Sequence, residues 1–185
     1  MRRPPFDSRL GRRAFDSLLS RRAFDSRLGR VRLIGAACAG FLLAVLWMDL
    51  IFDTQALRHR GADVLPESVL ESISGYYHRA TTTSRPMSHL IALVMVILLA
   101  VLGFRWTTAS DPGWLLAALA VLGGVPILLA LIRTVPAAVR LGNRVASPME
   151  QSRLARSICR DHLLCFGCMA AFLVLWVATA SPGIR

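Results

Sequence analysis

Four apolar runs, each long enough to cross a lipid bilayer as a helix, constrain this chain more than any other feature. They cover Leu33–Phe52, Met87–Phe104, Trp114–Ile132 and Leu163–Ala180. Runs of about 18–20 residues, rising 1.5 Å per residue, match a hydrocarbon core ~30 Å thick. Charge is almost absent inside them and gathers between them as arginine. Lipid offers no hydrogen bonds to the backbone, so an uninterrupted apolar run of this length closes its own bonds as a helix. The predicted fold is all-α: an integral membrane four-helix antiparallel bundle. A short amphipathic surface helix is expected after the first span. There Val69, Leu70, Ile73, Tyr76 and Tyr77 recur at helical spacing behind Pro66.

The remaining residues are too few for a separate soluble domain. Residues 1–32 read as an Arg-rich repetitive tail, mostly disordered, and 33–185 as the membrane domain, with spans at about 33–52, 87–104, 114–132 and 163–180. The tail repeats a unit around Phe6, Phe15 and Phe24. A spacing of nine turns an ideal helix by about 900°, onto the opposite face, so the repeat builds no continuous stripe. Gly11 and Pro4-Pro5 interrupt it further. Net charge is +11, with no lysine, and the tail alone has ten Arg against three Asp. Basic residues beside a span meet anionic lipid headgroups, and the pattern carries no nucleic-acid module. Retaining ten arginines on one side places the N-terminus in the cytoplasm.

Connections carry further signals. Ser110 or Asp111 caps the third span, with Pro112 just inside it. Gly123-Gly124-Val125-Pro126 interrupts that span, where proline removes a backbone donor. The connection Arg133–Asp161 follows. Within it Ser147-Pro148-Met149-Glu150 has capping-box spacing, so a helix beginning there continues into the fourth span. Trp47, Trp106, Trp114 and Trp176 lie near span ends and read as interfacial anchors.

Alternating spans place the end of the first, the start of the second, the end of the third and the start of the fourth on one side. Asp49, Asp53, His78, His89, Cys159, His162, Cys165 and Cys168 all belong to that half. Asp49 is the leading candidate: a carboxylate inside a span must find a partner, and His89, Arg133 and loop arginines are within sequence reach. Asp53, four residues on, shares its helix face. His89 and His162, at similar depth, are the candidate cofactor ligands, in the manner of bis-histidine haem. Cys159, His162, Cys165 and Cys168 recur every three residues, but each step rotates about −60°, so the first and last point apart and no metal site is expected.

Cys165-Phe166-Gly167-Cys168 is a C-x-x-C motif with the spacing of a redox-active pair. Together with four spans it resembles the vitamin K epoxide reductases, a family that couples such thiols to a quinone. That family also uses a second cysteine pair after its first span. Asp53–Pro86 has no cysteine here. Gly167 and Ala171 also match a small-residue helix-packing spacing.

These features lead first to a non-catalytic structural, accessory or assembly partner, forming homo- or hetero-oligomers through membrane helices. The alternative is a membrane oxidoreductase linked to quinone or haem through Cys165 and Cys168. The second alternative is a transport component for a proton, ion or small solute, using Asp49.

Overall fold

The computed structural model describes residues 8–108 and 111–179, with the backbone alone for 8–25 and 85. All regular elements among them are helical: α1 (Ser8–Asp53), a 3-10 turn (Thr54–His59), α2 (Glu67–His78), a π-turn (Arg79–Thr83), α3 (Arg85–Thr108), α4 (Gly113–Leu129), a second π-turn (Ala130–Thr134), α5 (Val135–Gly142) and α6 (Pro148–Ala178). Four stretches are long and apolar enough to cross a membrane: Ser26–His59, Pro86–Thr108, Gly113–Gly142 and Pro148–Ala178. This is consistent with a multi-pass membrane protein.

The helix ends differ from the sequence expectations for identifiable reasons. α1 extends back to Ser8 through the tail, and Gly11 does not break it. Arg, Leu and Ala are good helix formers, and adding turns to an existing helix avoids a new nucleus. The third span does not stop at Ile132. It continues through Arg133 to Gly142, so the connection shrinks to 143–147. A charge ends a hydropathy run without ending a helix. α6 starts as expected, with Ser147 Oγ accepting the Glu150 N–H at 3.3 Å. α4 starts without a side-chain cap, because Asp111 is engaged by Arg105 instead. Ser110 lies outside the described residues.

Two apolar cores form. The first gathers Leu42, Leu98, Leu102, Leu119, Met169, Phe172 and Trp176 from α1, α3, α4 and α6. α6 is central, packing on both α1 and α4, while α1 also packs on α3. The second core joins Leu70, Ile73 and Tyr77 of α2 to Leu141, Ala155 and Ile158. Here backbones come very close. A Cβ added at Gly142 would stand 2.8 Å from the His78 nitrogen, so only glycine permits this crossing. Arg156 clasps the turn before α2, donating to the carbonyls of His59, Ala62 and Asp63. Leu65 N–H donates to Ser152 Oγ at 2.9 Å. These bonds dock α2 over α5 and the start of α6, which sets its tyrosines against α1.

Candidate functional site

Asp49 and Asp53 stand one helical turn apart on α1, so both carboxylates meet the same neighbours. α2 brings consecutive tyrosines, one to each. Tyr76 Oη donates to Asp49 Oδ1 at 2.5 Å and Tyr77 Oη to Asp53 Oδ1 at 2.7 Å. Tyr76 is held by stacking on Phe52, with ring centroids 4.1 Å apart. From α6, His162 Nδ1 lies 2.6 Å from Asp53 Oδ2. Its Nε2 lies 3.8 Å from Asp49 Oδ2, within ion-pair reach but beyond a hydrogen bond. Two carboxylates therefore flank one imidazole. Asp53 is completely buried, whereas 17% of the Asp49 side chain is accessible. Burial, followed by the neighbouring carboxylates, pushes both tyrosine phenols far above their ordinary range. They act as fixed hydrogen-bond donors.

The accessible carboxylate faces space. An inner cavity of about 160 Å³ lies among all four long helical stretches, walled by Leu42, Leu46, Met95, Pro126, Ile127, Cys165 and Met169. An outer cleft of about 560 Å³ runs past Tyr76, Tyr77, Arg79, Thr81, Ser84 and Ser88. Asp49 and His162 line both. Both π-turns border this space: Arg79 and Thr81 from one, Ala130 and Thr134 from the other. Such turns disturb regular helix bonding and often mark functional positions.

The other sequence candidates fall elsewhere. His89 is exposed and lines neither space, so the structure does not pair it with His162. Arg133 does not reach Asp49; its Nε pairs with Asp161 Oδ2 at 3.2 Å. Cys165 is buried against the inner cavity, while Cys168 is half-buried and absent from its wall. Cys38, Cys159, Cys165 and Cys168 are all free thiols.

A second polar cluster lies at the far end of the same helices. Arg105, 2% exposed, donates from Nε to Asp111 Oδ2 at 2.7 Å and from Nη2 to Thr179 Oγ1 at 3.1 Å. Its guanidinium lies over the Trp176 ring at 4.7 Å. Trp176 Nε1 donates to the Arg32 carbonyl at 2.9 Å, in a notch where a side chain on Gly35 would collide with the indole. Trp176 is fully buried and so is not an interfacial anchor. Trp47, Trp106 and Trp114 are exposed. Neither cavity touches this cluster.

The tyrosine pair is the part that sequence reasoning missed. Adjacent residues on a helix point about 100° apart, so Tyr76 and Tyr77 sit toward different sides of one broad stripe and reach different carboxylates. Helical spacing alone carried no signal of those partners. The sequence matches no known protein family, no curated protein and no solved structure at a significant level.

Proposed function

We propose that this chain is a four-span membrane protein, its spans running alternately in opposite directions as an antiparallel bundle, and that it is a transport component working through Asp49 and His162. The alternation is supported by α1 and α6: Arg32 near the start of the first span meets Trp176, while Asp49 near its end meets His162. α2 is then an amphipathic helix capping one end, with Leu70, Ile73 and Tyr77 inward and Glu67 and Glu71 outward. The ten arginines of the tail put the N-terminus on the cytoplasmic side, against anionic headgroups.

One observation carries the reading: a partly accessible carboxylate and an imidazole stand together at the boundary between an inner cavity and an outer cleft. Ionisable groups within a span are costly, and they mark proton or ion pathways. His162 is oriented through Nδ1 by Asp53, which leaves Nε2 toward Asp49 as the position where a proton is gained or lost. A redox role for the C-x-x-C pair is less well supported, because only Cys165 borders the cavity.

The test is proton movement. Full-length protein in liposomes containing a pH-sensitive dye is given a potassium diffusion potential. Wild type should acidify or alkalinise the lumen at least tenfold faster than Asp49→Asn. Wild-type vesicles no faster than protein-free ones would overturn the reading.

A second reading, an assembly partner, is favoured by the outward face of α6. Gly167 and Ala171 are exposed, and a Cβ at Gly167 would meet nothing within 4 Å. Small residues let helices approach closely in lipid. Gly167→Leu should abolish any oligomer seen by native mass spectrometry. A purely monomeric wild type would remove this reading.

A further inference from the structure

We infer that the gap between Asp49 and His162 binds the head of an amphiphilic primary ammonium ion, with its hydrocarbon chain in the inner cavity. This rests on the reading of Asp49 and His162 as the working site, and it supplies the class of ligand. The argument begins with donors and acceptors. The Nδ1–H of His162 is given to Asp53, so the neutral imidazole offers Nε2 as an acceptor. Asp49 Oδ2 is the carboxylate oxygen not taken by Tyr76. Nε2 and Oδ2, 3.8 Å apart, are too distant to bond one another. Tyr76 gives its only proton to Asp49, leaving its oxygen lone pairs free to accept. Asp49, Tyr76 and His162 all line the outer cleft, so their acceptors are offered to one occupant there. A primary ammonium has three N–H donors, whereas an alcohol has one.

Charge leads to the same class. Two carboxylates, Asp49 and Asp53, stand against a single imidazole, an excess of acidic groups. Among the described groups packed around them, Tyr77, Thr134 and Cys165 are neutral, and Asp161 is offset by Arg133. Arg79 borders the outer cleft but is exposed, where water screens it. An ammonium ion therefore supplies the missing positive charge beside Asp49. The inner cavity, about 160 Å³ and almost wholly apolar, resembles in size engineered cavities of about 150 Å³ that hold benzene, so roughly six carbons fit.

A proton on Nε2 competes for the same gap. It converts the acceptor into a donor and adds a positive charge beside the entering cation. Each ammonium bound to the protonated site must release that proton into the outer cleft, so charge is conserved: one cation enters and one leaves. Proton and amine movements are coupled for this reason.

The experiment uses full-length protein in nanodiscs, radiolabelled hexylamine and equilibrium dialysis, with protein-free nanodiscs subtracted. Saturable binding of one hexylamine per chain is expected. It should weaken at least tenfold between pH 8 and pH 5, and at least tenfold in Asp49→Asn. Hexanol and tetramethylammonium should not compete. Competition by hexanol equal to that by unlabelled hexylamine, or an unchanged affinity in Asp49→Asn, would overturn the inference. Should Asp49→Asn fail to fold, the wild type decides through Cys165. Hexylamine should slow N-ethylmaleimide modification of Cys165, read by peptide mass spectrometry, at least fivefold while leaving Cys168 unaffected. Absence of that protection refutes the site. Proton flux that depends on Asp49 without hexylamine binding would remove the ligand class alone. Loss of both would remove the working site as well.

Discussion

The two ends of the bundle place buried charge in different surroundings. Around Arg105, Asp111, Thr179 and the Trp176 ring close over the guanidinium, and neither the inner cavity nor the outer cleft reaches it. Around His162, one carboxylate is sealed and the other borders open space. The clusters are 17 residues apart along both α1 (Arg32 to Asp49) and α6 (His162 to Thr179), hence roughly 25 Å. Both would be expensive to place in lipid, so cost alone does not distinguish fastening from function. What distinguishes them is the fraction of hydrogen-bonding capacity left facing a cavity.

If the Arg105 end is a fastening, removing its apolar lid should give the largest loss of stability. Trp176→Ala deletes a fully buried indole, its hydrogen bond to Arg32 and its contact with the guanidinium. The expected cost is about 3–5 kcal/mol, read from thermal or denaturant unfolding in detergent. Proton flux per folded molecule should be retained. Selective loss of flux with stability intact would erase the distinction between the two ends.

Asp53 belongs to the fastening part of its own cluster. Asp53→Ala leaves both Tyr77 Oη and His162 Nδ1 without their short hydrogen bonds inside the protein. A loss of about 2–4 kcal/mol is expected in the same unfolding measurement. Flux should fall too, because the imidazole loses the bond that orients it.

How much of this arrangement was visible in the sequence follows from what each part depends on. The four long apolar helical stretches were legible because an apolar run of such length has few alternatives to a helix. The start of α6 was legible because capping is local: Ser147 and Glu150 carry it within four residues. The extent of the third helical stretch was not, since Arg133 interrupts hydropathy while the backbone continues to Gly142. Trp176 was misplaced because its depth is decided by the notch at Gly35, more than a hundred residues away. Asp49, Asp53 and His162 could be assigned to one half of the molecule, yet their tyrosine partners depend on how α2 docks. That docking rests on the Gly142 crossing and the Arg156 clasp, which no local pattern reveals.

The tyrosines offer a smaller test with a built-in label, because Tyr76 and Tyr77 are the only two in the chain. Their phenols are raised by burial and by Asp49 and Asp53. Below about pH 10, the ordinary tyrosine range, both states hold the protons and the stabilisation is fully present. Above it the unfolded chain releases protons that the folded chain retains, so stability must decline as pH rises. Absorbance at 295 nm should show no tyrosinate in the folded protein at pH 10.5, with about three quarters of the full signal appearing on unfolding. Tyrosinate in the folded state at that pH would mean the cluster is open to water and would blur the contrast with the sealed Arg105 end.

Asp49→Asn should have the smallest effect on stability and the greatest selectivity for function. The amide keeps the shape of the carboxylate and its carbonyl oxygen still accepts from Tyr76. It removes a negative charge that would favour a proton on His162 Nε2, 3.8 Å away, but also avoids desolvating a charge beside Asp53. These effects oppose one another, and the expected net change is within about 1 kcal/mol. A loss above about 2 kcal/mol in the unfolding measurement would place Asp49 with Asp53 and Arg105 as a fastening. A near-neutral change with flux abolished would instead assign function to the one carboxylate in the cluster that borders open space.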